Sequence, residues 1–113
     1  MHELGLLTQM AKTVTAAAKE NGIEQVRQIV IEVGEASGAL PYIFEEYFPL
    51  IQEDYPALKD ASLKLLNVKS RALCAGCSAV YDLVKNEGKC PRCGEEAKTV
   101  LGGTDVIVKQ ILY

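Results

Sequence analysis

The order of hydrophobic patterns predicts an α+β (α/β) fold, a small mixed three-stranded sheet with two helices over one face, interrupted by a cysteine-rich module. Three observations carry this expectation. Two segments repeat apolar residues at three- and four-residue steps, three others alternate apolar with polar residues, and two close cysteine pairs fall between the last two alternating segments. The 113 residues are 49% hydrophobic and 24% charged, enough for one core and a small appendage, without the long apolar run that a membrane span requires.

Between Leu4 and about Ala18, Leu4, Leu7, Met10, Ala11, Val14 and Ala18 form the stripe of an amphipathic helix, and Asn21-Gly22 supplies its stop. In the next segment Ile29, Ile31 and Val33 alternate with Gln28, Val30 and Glu32, predicting a strand that ends at Gly34. Pro41 suits a first helical turn, and Leu40, Ile43, Phe44, Tyr47 and Phe48 share one face of the helix it opens. Pro49 lacks the N–H that a helix interior needs and predicts a break or kink, followed by a short helical piece and loop. Ala61, Leu63 and Leu65 alternate with Ser62 and Lys64 as a second strand, and Val106, Val108 and Gln110 alternate with Ile107, Lys109 and Ile111 as a third. The cysteine module is therefore an excursion between the last two long strands.

A formal charge of -3 gives the chain no bulk attraction for nucleic acid. Its start is no export signal, because Glu3 stands where a positive segment belongs and Thr8, Gln9 and Lys12 interrupt the apolar residues that follow. A cytoplasmic location is expected.

Cys74, Cys77, Cys90 and Cys93 follow the spacing C-x2-C-x12-C-x2-C. In a reducing compartment two such turns point to a metal rather than to disulfides. Four thiolates make a closed tetrahedral shell that suits zinc in a structural role, within a zinc-ribbon-like module of residues 71–98. Gly94 can adopt the left-handed conformation that turns backbone N–H groups toward sulfur. Iron also binds two such turns, but the polar run KNEGKCPRCGEE is unlike the tight apolar shell of an electron carrier and favours zinc. Neither pair stands in the βαβ context of a thioredoxin-like redox motif.

Zinc ribbons commonly bind nucleic acid, so Lys64, Lys69, Arg71, Lys85, Lys89 and Arg92 require weighing. Asp82, Glu87, Glu95 and Glu96 dilute them, and Tyr81 is the one aromatic nearby. Solvated surface charge accounts for them better than a nucleic-acid interface does. A zinc-ribbon interaction module for nucleic acid or protein stays as the alternative function. With one histidine in the chain and no pairing of a nucleophile with a base, there is no candidate enzyme site.

That histidine is His2. Methionine removal generally needs a small second residue, so Met1 is expected to remain, and the start offers the Met1 amine, the His2 amide and the His2 imidazole to one ion. Nitrogen donors in five- and six-membered chelate rings suit a square plane, hence Ni(II) or Cu(II) rather than zinc, and Glu3 could add its amide nitrogen or its carboxylate. By itself a histidine near a terminus is more often only a solvated side chain.

The MHEL start, the EVGEASG turn after a strand, the CAGC and CPRCG turns and the closing GTDVIV strand together resemble the HypA/HybF family, over nearly the whole chain in order. The resemblance implies a nickel metallochaperone for maturation of [NiFe] hydrogenase, and in some organisms of urease. It implies nickel as cargo at Met1, His2 and Glu3 and a structural zinc on Cys74, Cys77, Cys90 and Cys93. It further implies a nickel-binding domain of residues 1–70 and 99–113 beside the zinc-binding domain of 71–98. The implied partners are an accessory hydrogenase maturation GTPase and the [NiFe] hydrogenase large-subunit precursor. Glu32, Gly34 and Glu35 match the family's strand-turn segment and are read as structural or partner-facing. The chain departs from the family at Gly103-Thr104-Asp105, where Gly-x-Glu is common, at Lys69, where proline is usual, and at Pro49.

Overall fold

The computed structural model describes residues 2–113; Met1 and the His2 side chain lie outside the described residues. The elements run α1 (His2–Glu20), β1 (Gln28–Gly34), α2 (Pro41–Asp54), a 3-10 turn (Pro56–Leu58), β2 (Ser62–Val68), β3 (Arg71–Cys74), β4 (Val80–Asp82), β5 (Lys98–Val100) and β6 (Val106–Leu112). Two sheets result, ordered β2-β1-β6 and β4-β3-β5. By contacts the chain divides into one unit of residues 1–32, 40–66 and 107–113 and another of 33–39 and 67–106.

In the first unit α1 buries Leu7, Ala11, Val14 and Ala18, the expected stripe. Its alanines let α2 approach closely, and α2 contributes buried Phe44, Phe48 and Ile51. Asn21-Gly22 ends α1 as expected. Gly22 has φ 69°, the Ile23 N–H donates to the Ala18 carbonyl at 2.8 Å and the Gly22 N–H to the Lys19 carbonyl at 3.3 Å, which satisfies carbonyls the helix cannot pair itself. The Gln52 side-chain amide, near the end of α2, donates to the carbonyls of Leu58 and Ala61 at 2.8 Å each and so holds the 3-10 turn and the approach to β2.

β1 is the central strand. The Ser62 N–H donates to the Arg27 carbonyl near the starts of β2 and β1, and the Glu35 N–H to the Val68 carbonyl at their ends, so these strands run parallel. The Arg27 N–H reaches the Leu112 carbonyl and the Gly34 N–H the Asp105 carbonyl, so β6 runs antiparallel. The sheet is mixed, with α2 and the 3-10 turn forming the crossover that a parallel pair needs. Val30, placed by alternation with the polar side, is buried along with Ile29, Ile31 and Val33, so both faces of the central strand carry buried side chains.

The expected break at Pro49 does not occur, since α2 continues through it to Asp54. Pro49 is exposed, so the Glu45 carbonyl that loses its donor faces water, while Phe44 and Phe48 before the proline and Ile51 after it are buried and hold both halves on one axis.

In the second unit β3 pairs antiparallel with β4 and with β5, in registers that include Leu73 opposite Val80 and Cys74 opposite Lys98. These strands of three or four residues were not anticipated from the sequence, because segments so short show no periodicity. Gly103, at φ 74°, allows a close backbone approach: a Cβ there would lie 2.7 Å from the Lys69 carbonyl oxygen. Beside it the buried Ser70 Oγ donates to the Gly102 carbonyl at 2.7 Å.

Replacing Pro49 with alanine restores the N–H that α2 lacks and should stabilise the protein by about 2 kcal/mol, read as a higher midpoint in thermal or urea unfolding. An unchanged midpoint would mean that the helix has already absorbed the proline at no cost.

Candidate metal centres

The two cysteine turns are built alike. In the first, the Cys74 N–H donates to the Ala79 carbonyl and the Ser78 N–H to the Cys74 carbonyl; in the second, the Cys90 N–H donates to the Glu95 carbonyl and the Gly94 N–H to the Cys90 carbonyl, all between 2.8 and 3.0 Å. In each the residue after the second cysteine is left-handed, Ser78 at φ 62° and Gly94 at φ 77°. Gly94 was legible as such a position. Ser78 was not, because a serine holds this conformation only at a cost of roughly 1–2 kcal/mol, imposed here by the geometry the turn must share with its twin. The N–H groups of Gly76 and Cys77 point at Cys74 Sγ, at 3.3 and 3.4 Å, where they stabilise a thiolate.

The four sulfurs lie within 4.8 Å of one another, with Cys74 to Cys93 at 3.5 Å and Cys77 to Cys90 at 3.6 Å. Sulfurs bound to one tetrahedral zinc would be about 3.8 Å apart. The donor set therefore fits a structural zinc that all four cysteines would hold, with no position left for a substrate.

The electrostatics favour the same conclusion. Burial opposes ionisation of Cys90, but the N–H groups of Cys93 and Arg92 together with hydrogen bonds from Cys77 and Cys74 outweigh it and bring the thiol down to about 7. Cys93 receives the opposite treatment: the Glu95 backbone favours its thiolate, yet Cys74, burial, Cys77 and Cys90 together push it up to about 12. Tyr81 is buried against the cluster, and its hydroxyl, which donates to the Gly88 carbonyl at 3.3 Å, is held above its ordinary value first by desolvation and then by Cys74, Cys90 and Cys93. A group of sulfurs that resists full ionisation in isolation is one that a dication completes.

Of the three N-terminal residues, Met1 and the His2 side chain lie outside the described residues, and Glu3 is in the first turn of α1. Its side chain is only 6% exposed, and its carboxylate accepts a hydrogen bond from the Leu40 N–H at 3.1 Å. Leu40 is the N-cap of α2 and has no side-chain oxygen to cap with, so a carboxylate from 37 residues away meets the positive end of that helix. Sequence reasoning missed this contact. The signal was present, in a helix whose cap position holds leucine and must find its acceptor elsewhere.

The family model described as "Hydrogenase/urease nickel incorporation, metallochaperone, hypA" matches residues 1–113. A hydrogenase maturation factor HypA from Francisella philomiragia is 31% identical over 113 residues, covering 100% of this chain and 99% of the relative. A hydrogenase maturation factor HybF from Klebsiella pneumoniae is 28% identical over 111 residues, covering 98% and 97%. The solution structure of the Ni metallochaperone HypA from Helicobacter pylori shares the fold at a TM-score of 0.70 and 22% identity, covering 97% of this chain and 95% of that one.

Removing one ligand by Cys74→Ala should lower bound zinc below one per chain and loosen residues 71–98, read by metal analysis and amide exchange; full retention of one tightly held zinc would refute the four-thiolate assignment. Acid should also release zinc. Binding zinc must displace the proton that Cys93, pushed up to about 12, holds in the metal-free site, and below about 7 the one on Cys90 as well. Zinc affinity therefore falls with falling pH, and more steeply once Cys90 is protonated, which a competitive chelator titration between about pH 8 and 5 would reveal.

Proposed function

The chain belongs to the HypA family of nickel metallochaperones for hydrogenase maturation, and on that premise we propose that it carries Ni(II) at its N-terminus while zinc stays on the four cysteines. The ligands for the cargo are the Met1 amine, the backbone and imidazole nitrogens of His2, and the backbone of Glu3. The anchoring of Glu3 to Leu40 is the observation that supports this reading most. The hydrogen bond from the Leu40 N–H to the Glu3 carboxylate fixes the residue next to His2 in place. The first turn of a helix has no intrahelical acceptor for its N–H groups, so the His2 amide is not committed to the helical ladder. All-nitrogen donation suits a square-planar ion, and a chelate at a chain end can be approached by competing ligands without unfolding the core.

The domain assignment follows the same division, with nickel handled by residues 1–70 and 99–113 and zinc by 71–98. Delivery is ligand exchange: a partner that offers better donors takes the ion, and no substrate bond is made or broken, so the function is not enzymatic. Within the maturation pathway the partners we assign are an accessory GTPase and the [NiFe] hydrogenase large-subunit precursor. Among the described residues no helix is long and apolar enough to cross a membrane, in keeping with work in the cytoplasm.

Nickel titration of the zinc-loaded protein should give one yellow, square-planar Ni(II) species per chain, and His2→Ala should abolish it while leaving zinc content unchanged. Stoichiometric nickel binding retained in His2→Ala would overturn the N-terminal assignment.

A further inference from the structure

Helix α2 buries one face and leaves the other bare. Tyr42 is 63% exposed and Leu50 is 54% exposed, unlike buried Phe44, Phe48 and Ile51. Tyr42, Glu46, Pro49 and Glu53 follow at steps of four, three and four, so they line a single ridge, with Glu45 and Leu50 on its flanks, and all six are exposed.

Several properties of this face work against stability. Glu53 and Asp54 occupy the last turn, where the negative end of the helix disfavours carboxylates, and no basic residue is there to offset them. Among the described residues the ion pairs are Lys69 with Asp82 and Lys89 with Glu96, so Glu45, Glu46, Glu53 and Asp54 have no cationic partner. Pro49 strips the Glu45 carbonyl of its helical donor in the middle of the same ridge.

One kind of neighbour reverses all of these costs at once. Cationic side chains would neutralise the carboxylates and could donate to the Glu45 carbonyl, while an apolar seam would cover Tyr42 and Leu50. Nucleic acid and anionic membranes are repelled by this charge, and a second copy would set carboxylates against carboxylates. Knobs at steps of four and three are what a helix offers to another helix. We propose that the exposed face of α2 is a docking site for a partner protein presenting a cationic amphipathic helix, whose lysines or arginines meet Glu45, Glu46 and Glu53 and whose apolar residues pack on Tyr42 and Leu50, about two turns apart on either side of Glu46. One helix face is small for a permanent interface, so the contact is transient and charge-steered.

The test uses the full chain, zinc-loaded and nickel-free, so that it does not depend on the N-terminal nickel assignment. The probe is a fluorescein-labelled helical peptide of about 18 residues, five turns, with a leucine seam flanked by lysines. Controls are a scrambled peptide of the same composition, duplex DNA and anionic phosphatidylserine vesicles. The expected result is saturable, salt-sensitive binding of the amphipathic peptide alone, with amide shifts centred on residues 42–54. The double variant Glu46→Lys/Glu53→Lys, checked for unchanged zinc content and helicity, should weaken it by roughly tenfold or more, since like charges are then juxtaposed, and Tyr42→Ala should weaken it several-fold. Equal binding by the scrambled peptide, binding to DNA or vesicles, shifts centred elsewhere, or an affinity unmoved by the charge reversal would each overturn the proposal.

Discussion

Four sulfurs within 4.8 Å of one another cannot all carry charge unless a cation sits among them, and the second unit is organised around that constraint. Around the site the buried cluster is Ala72, Cys74, Tyr81 and Cys90, two of which are ligands themselves. The strands that support them are three or four residues long, too short to persist by their own ladders. Zinc held by these cysteines would therefore contribute directly to the folding of this part of the chain. The first unit stands on a different footing, an aliphatic and aromatic core from α1, β1 and α2 that asks nothing of an ion.

The long elements were legible because their periodicity is set by burial. The stripe of α1, the alternation of β1 and the stop at Asn21-Gly22 all follow from which side chains leave water, and the four-cysteine site followed from spacing alone. Legibility failed where a local rule was overridden or had no local sign. Pro49 speaks for a break, yet buried Phe44, Phe48 and Ile51 carry the helix across it. Ser78 gives no hint of a left-handed turn, which is visible only once the bonds of the first cysteine turn are laid beside those of the second. The contact of Glu3 with Leu40 joins residues too far apart for any window of sequence to connect.

Backbone packing sets a further limit in the second unit. A Cβ on Gly34 would lie 2.4 Å from the Gly103 carbonyl oxygen, and one on Gly103 would run into Lys69 and Ser70. The Ala36 N–H donates to the Gly103 carbonyl at 2.8 Å, and Gly34 itself to Asp105. These glycines are therefore conditions of main-chain contact rather than of flexibility. The departures at Lys69 and at Gly103-Thr104-Asp105 leave this junction intact: Lys69 contributes its backbone to the contact, and Asp105 its carbonyl to the pairing with Gly34.

The bond between Glu3 and the amide of Leu40 also orders events in time. The Glu3 carboxylate leaves the ribosome 37 residues before the amide from which it accepts. Closure of the sheet waits longer still, since the Arg27 N–H needs the carbonyl of Leu112. A nascent chain therefore exposes α1 well before the partners that hold it exist.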